Sequence, residues 1–127
     1  MKKILVLIVT LAALLQMTES LSAAADLEKI KIGFAFPMSG SAAMAGRYSS
    51  HGAQVIEKEL NGKITIQGKE YDVEFIYMDT EGSEEKTVNV YQRLIEGEEV
   101  IAIVGPDSSK CALAAGPLAQ NAGCSNI

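Results

Sequence analysis

Short apolar runs recur along this chain, each followed by a polar turn and then by a segment of helical period. Residues Ile30 to Pro37, IKIGFAFP, alternate and then run apolar, which suits a first strand. Met38-Ser39-Gly40-Ser41 reads as a turn. From Ala42 to Leu60 the period becomes helical, and Ala45, Tyr48, Gly52, Val55, Ile56 and Leu60 fall on one predicted inward face. Asn61-Gly62 closes that helix, with the glycine suited to a left-handed C-terminal position. Ile64 to Lys69 forms a short excursion before a second strand over Tyr71 to Met78, with Val73, Phe75 and Tyr77 on one side. Asp79 to Ser83 is a polar turn. Glu84 to Glu96 follows as a helix that turns Val88, Tyr91, Leu94 and Ile95 inward.

The run from Val100 to Val104 is continuously apolar, which suits a strand buried on both faces. Gly105 and Pro106 stop it, because proline has no N–H for a ladder. Asp107, Ser108 and Ser109 each carry an oxygen able to cap the alanine-rich helix that follows. A fourth strand begins at Cys124-Ser125-Asn126-Ile127.

The order β-α-β-α-β-α-β predicts an α/β domain: a three-layer parallel sheet with helices on both faces and right-handed crossovers. Its three βα turns, near Ser39, Asp79 and Ser109, then share one edge, at the carboxyl ends of the strands where open α/β sheets bind ligands. The free amides and positive dipole end of the helix at Ser109 favour an anion there. Each turn alone could do no more than cap its helix; three on one edge make a constellation.

Composition narrows this picture. Lys2 and Lys3 precede an apolar run from Ile4 to Leu15 and then Ala23-Ala24-Ala25, the arrangement of a secretory signal peptide, which places residues 26–127 in the mature domain. The apolar run is too short to span a bilayer comfortably. After removal of residues 1–25 no membrane insertion is expected, and no cysteine follows the run to take a lipid. The loss of Lys2, Lys3 and Glu19 lowers the net charge from −5 to −6. With that acidity and no basic patch, nucleic acid is not an expected partner.

The two cysteines invite a disulfide in an oxidising compartment. However, most of a helix separates Cys111 from Cys124, roughly 15–20 Å, and a bridge needs Cα atoms within about 7 Å. Both are expected to be unpaired within this chain; either could pair with a segment outside it.

Signatures of catalysis are missing. Gly40 and Gly46 lack the spacing of a dinucleotide fingerprint, and no P-loop lysine follows them. Ser109 lies in no nucleophile elbow, and the one histidine, His51, falls in mid-helix. Two cysteines and one histidine are scattered without metal-ligand spacing. The expectation is a protein that is not an enzyme and carries no metal or cofactor.

Three stretches, IKIGFAFPMSGSAAMAG (Ile30–Gly46), MDTEGSEEKTV (Met78–Val88) and IVGPDSSKCALAAGPLAQNAG (Ile103–Gly123), follow one another in register. Together they resemble the start of the type I periplasmic binding proteins of the leucine/isoleucine/valine class, which serve ABC importers. The resemblance covers Ile30 to Ile127. It implies two α/β lobes joined by a hinge with the ligand between them, of which this chain would supply an incomplete first lobe. It also implies a periplasmic location, a branched-chain or related amino acid as ligand, and a membrane permease as partner. A ligand-sensing domain of the same fold, for an amide or small carboxylate, is the alternative, and a non-functional truncated product is another. The family's G-P-x-x-S serine, which holds the ligand carboxylate, falls on Ser109, with Ser108 in the same turn as the weaker candidate. The position often filled by an aromatic against the ligand side chain falls on Ala45. Of the family's acidic second turn, Asp79 keeps the pattern. The resemblance further implies a strand from elsewhere lying between the third and fourth strands, so that 127 residues alone would fold poorly.

Overall fold

The computed structural model describes residues 28–127; the expected signal peptide over residues 1–25 lies outside them. Five strands form one sheet in the order β2-β3-β1-β4-β5. Strand β1 spans Lys29–Phe36, β2 Lys63–Ile66, β3 Lys69–Asp79, β4 Ala102–Val104 and β5 Ser125–Asn126. Helix α1 spans Ala43–Leu60, α2 Glu84–Gln92 and α3 Ser109–Ala122. The last turns of α2 widen into a π-helical stretch over Arg93–Gly97.

The sheet is mostly parallel. Strand β1 pairs in parallel with β3 (Lys29 opposite Asp72 through Phe36 opposite Asp79) and with β4 (Ile32 opposite Ala102). The expected excursion after α1 is a strand in its own right: β2 pairs antiparallel with the start of β3. Gln67 and Gly68 join the two with positive φ angles, as a two-residue hairpin turn requires. Strand β5 pairs directly with β4, Ala102 opposite Ser125. This corrects the expectation of another strand between them: Ser125 and Ile127 donate their amides to the Ile101 and Ile103 carbonyls, so that edge of β4 is already taken.

The core lies on the face covered by α2 and α3. Tyr91, Leu94, Ile103, Ala115 and Ala119 are fully buried there, with Val100 and Cys124 at the border. The predicted inward stripe of α2 holds. Cys111, Ala115 and Ala119 recur every four residues on α3, and their small side chains let that helix lie close against α2. Both cysteines are free, as expected, and both are buried.

Two stretches differ from their predicted packing. Val100 and Ile101 precede the bounds of β4; Val100 turns into the core, its amide donating to the Leu94 carbonyl, whereas Ile101, whose backbone still bonds Lys31 and Ser125, has its side chain 57% exposed. On α1 the predicted inward residues Tyr48, Val55 and Ile56 are exposed; Gly46 and Ser50 are buried instead. The reason is a close approach. A Cβ on Gly46 would sit 2.1 Å from the Pro37 carbonyl oxygen, so α1 meets the end of β1 through bare backbone rather than through a large side chain. At the far end of α1, Asn61 is a left-handed cap residue, its amide donating to the Glu57 carbonyl, and Gly62 follows it at φ +73°.

Candidate functional site

Chain order reverses at β1. The chain passes from β1 outward to β3, then back over β1 to β4. Right-handed crossovers then put α1 on one face of the sheet and α2 and α3 on the other. Between the carboxyl ends of β1 and β4 the two following turns splay apart, which is where open α/β sheets form a ligand crevice. A cavity of about 220 Å³ lies there, lined by Pro37, Ala42 and Ala45 on one side and Pro106, Asp107, Ser108 and Cys111 on the other, with Thr80 and Gly82 beneath. That is smaller than the about 300–1,000 Å³ of a complete small-molecule pocket.

Three devices hold the crevice in shape. The first is Asp79, at the end of β3. Its Oδ1 accepts the backbone amides of Met38 at 2.8 Å, Ser39 at 3.3 Å and Glu81 at 2.8 Å. Burial pushes this carboxyl up, but the hydrogen bonds from Ser39, Glu81 and Met38 outweigh it and hold the group below the usual carboxylate range. Asp79 is thus consumed in tying the first two turns together.

The second device is Gly105, at φ +120°, where a Cβ would lie 2.4 Å from the Ala35 carbonyl oxygen. Only glycine lets the β4 turn approach β1 so closely. The third is Tyr91 of α2. Its hydroxyl donates to the Gly105 carbonyl at 2.6 Å, and burial pushes the phenol up to about 12, which keeps it a donor.

The β4–α3 turn presents the polar groups. Ser108 is the N-cap residue of α3, with φ −110° and ψ 130°, but its side chain makes no capping hydrogen bond. This corrects the expectation that its hydroxyl serves the helix. The Ala112 amide is the first to find an intrahelical acceptor, the Ser108 carbonyl, so the amides of Ser109, Lys110 and Cys111 are left free by helix geometry. Of the residues expected at the site, Ala45 and Ser108 come together on the crevice wall. Ser109 lies beside it, exposed, as the first residue of α3.

Sequence reasoning missed Thr80, Cys111 and Ser49. Thr80 and Cys111 are each 1% exposed and line the crevice. Ser49, one turn along α1 from Ala45, donates across the mouth to the Asp107 carboxylate at 3.3 Å and 3.4 Å. The four-residue spacing from Ala45 was the available signal for Ser49; the other two face inward by register alone.

A larger groove of about 550 Å³ runs along β3 and α2, between Ile76, Met78, Asn89 and Arg93. It lies away from the strand-order reversal and has no helix N-terminus aimed into it. Among the described residues no group of three or more His, Cys, Asp or Glu side chains could hold a metal, and no helix is long and apolar enough to cross a membrane.

A family model described as periplasmic binding protein matches residues 29–124. Among solved structures, the chain is similar to the branched-chain amino acid transporter substrate-binding protein LivJ of Streptococcus pneumoniae in complex with isoleucine. The two are 35% identical with a TM-score of 0.70, over 79% of this chain and 28% of that one. The leucine-binding protein LivK of Thermotoga maritima is 31% identical with a TM-score of 0.68, over 76% of this chain and 26% of the other. A solute-binding protein of an ABC transporter from Rhodopseudomonas palustris, solved with 3,4-dihydroxybenzoic acid, is 30% identical with a TM-score of 0.69, over 78% and 26%. This chain therefore spans about a quarter of the length of the structures it matches. Comparison with curated protein sequences gives no match.

Proposed function

The chain belongs to the periplasmic binding protein family, and from that membership we propose that it forms one wall of the ligand site of an extracytoplasmic solute-binding protein. The protein would serve ABC-type import, with a membrane permease as partner and a branched-chain or related amino acid as ligand. The observation that carries this reading is the crevice at the reversal of strand order, where the free amides of α3 and the unused Ser108 hydroxyl converge.

A carboxylate at this turn would gain about 0.3–1 kcal/mol from the helix terminus, up to ~2 if partly buried. A charge-assisted hydrogen bond from a serine hydroxyl would add roughly 1.5–3 kcal/mol. Together these fall short of the about 8 kcal/mol of micromolar affinity. A second wall would supply the remainder, and the small cavity supports that reading.

Calorimetric titration of the full protein with aliphatic amino acids tests the site. Ser108→Ala and Ser109→Ala should each weaken binding by about 1.5–3 kcal/mol if each hydroxyl donates one such bond. Ser108 has the stronger claim, because it lines the crevice and its side chain makes no capping hydrogen bond. Unchanged affinity in both variants would remove the turn from the site. Export is tested separately: the secreted protein should begin near Asp26, and an intact Met1 in the cytosol would refute the signal over residues 1–25.

A second reading has one observation in its favour. Ala45 offers only a methyl group for a ligand to pack on, which leaves room for a bulkier group such as the aromatic ring of the acid bound by the R. palustris relative.

A further inference from the structure

The outer edge of β3 is paired over only part of its length. Strand β2 covers it from Lys69 to Asp72, and the Val73 amide donates to the Gly62 carbonyl just beyond. On the opposite edge β1 pairs with β3 in unbroken register as far as Asp79. The Asp72 and Thr80 amides point that way, to the Glu28 and Phe36 carbonyls, so alternation turns the Phe75 and Tyr77 amides outward. Among the described residues no strand meets them. The devices that usually blunt an edge are missing as well. No proline or bulge interrupts the run from Val73, and its one charge before Asp79, on Glu74, is drawn back to Lys29 of β1 at 2.7 Å. The groove of about 550 Å³ opens on this edge, lined in succession by Ile76, Tyr77, Met78 and Asp79. Successive side chains of a strand point to opposite faces, so a space that touches all four lies beside the strand rather than above either face. Arg93 stands across that space. Among the described residues no carboxylate pairs with it, since the four salt bridges all belong to lysines.

The open run is self-complementary about Ile76. An antiparallel copy related by a two-fold axis there sets Phe75 against Tyr77 and Glu74 against Met78. The outward N–H and C=O groups of Phe75 then meet those of Tyr77 in both directions. Side chains directly opposite one another share a face of the joined sheet. Phe75 and Tyr77, which already pack on Phe34, continue that aromatic layer across the axis. Ile76 and Met78 pack on the core face, so Glu74 of the second copy arrives on that face beside Met78, in the groove where Arg93 lacks a partner. Symmetry makes the contact twice. We propose that the β3 edge pairs with the same edge of a second copy of this chain, with Arg93 of each copy facing Glu74 of the other. The charges are complementary in this register alone, and that selects a second copy as the occupant. The edge lies on the far side of β3 from the crevice, so the pairing does not depend on the solute-binding reading.

The test is sedimentation of the full protein at neutral pH over a rising concentration series. One short strand from each copy buries less than the ~1,200 Å² of a standard interface, so the association is weak and the series must reach about 1 mM. The wild-type protein should approach a reversible dimer. Arg93→Glu and Glu74→Arg each set like charges across the axis and should raise the dissociation constant of the dimer at least about tenfold. The double variant, with the charges exchanged, should recover most of that loss, which a variant that had merely lost its fold would not do. Ile76→Cys tests the register. Opposed Cα atoms in a non-hydrogen-bonded pair lie about 4.5 Å apart, within the range of a disulfide, so mild oxidation should link this variant into a covalent dimer. Glu74→Cys should stay unlinked, because four residues at about 3.3 Å each put its symmetry mate ~13 Å away. A monomer throughout the series overturns the proposal. So does a dimer indifferent to the charge reversals, or an Ile76→Cys variant that oxidation leaves unlinked.

Discussion

The two faces of the sheet are built on opposite principles. On one, α2 and α3 press Tyr91, Leu94, Ala115 and Ala119 against Ile103 until all five are inaccessible. On the other, α1 is the longest helix among the described residues, yet it buries only Gly46 and Ser50, while Met44, Tyr48, Val55 and Ile56 are between 49% and 71% exposed. Beneath it the sheet carries an aromatic layer, with Phe34 stacked on Tyr77 at 4.9 Å and tilted against Phe75 and Phe36. The first face holds the fold together. The second sets a distance: the contact of Gly46 with Pro37 fixes how far α1, and with it Ala45 and Ser49, stands from the β4–α3 turn. A binding wall needs both, a packed back and a front whose spacing is set by backbone.

The largest effect that would test this contrast is in the packed face. Leu94 is fully buried and lies within 3 Å of where a Cβ on Gly33 would be, so it fills its space completely. Leu94→Ala should cost about 2–5 kcal/mol of unfolding free energy, the range for a buried leucine that leaves a cavity. Chemical denaturation of the full protein measures this. A loss below about 0.5 kcal/mol, the range of ordinary surface substitutions, would show that the α2–α3 face is not the core.

A smaller effect sharpens the link between core and crevice. The Asp79 carboxylate accepts three amides from two turns, and those bonds hold its protonation equilibrium below the ordinary range. A carboxyl depressed in the folded state stabilises that state at pH values above its unfolded pKa of about 3.9, and the contribution is lost as pH falls through the folded value. Asp79→Asn keeps an acceptor but removes the charge, which should cost about 1–2 kcal/mol at neutral pH, the margin between charged and neutral hydrogen bonds. The stability difference between the two proteins should close on acidification below about pH 4. A difference that stays constant down to low pH would mean that the charge of Asp79 is not what ties the turns.

Where pattern and structure agree, a large side chain carries the signal. The stripe of Val88, Tyr91, Leu94 and Ile95 repeats with the period of a helix, and the structure packs it as predicted. The three βα turns also share one edge, and the family is evident in them. What the pattern could not convey was contact made without side chains. Gly46 packs because it has none, so the apolar residues around it suggested an inward face that the helix does not use. The hairpin turn at Gln67-Gly68 lacks the asparagine or aspartate that usually announces one. The role of Asp79 depends on Met38 and Ser39, some forty residues earlier, and the bond between Ser49 and Asp107 spans 58 positions. Such pairings appear only when the strand order brings two turns together.

The smallest expected effect is the most direct test of the open face. If Tyr48 and Val55 project from α1 without partners, trimming them removes little that folding had buried. Val55 is 54% exposed and Tyr48 71%, so most of the apolar area of each stays in water in the folded state. The transfer term of roughly 25 cal/mol per Å² applies only to the area actually withdrawn. Tyr48→Ser and Val55→Ala should therefore each fall within about 0.5 kcal/mol of the parent, the range of ordinary surface substitutions. Amide exchange should agree, with α1 opening at lower free energy than α2 or α3, because few buried contacts hold it. Both measurements are informative if they fail. A loss above 2 kcal/mol at Val55, well outside the about 0.5 kcal/mol surface range, together with strong protection along α1, would mean that this face is covered in the full protein and that α1 belongs to a second core.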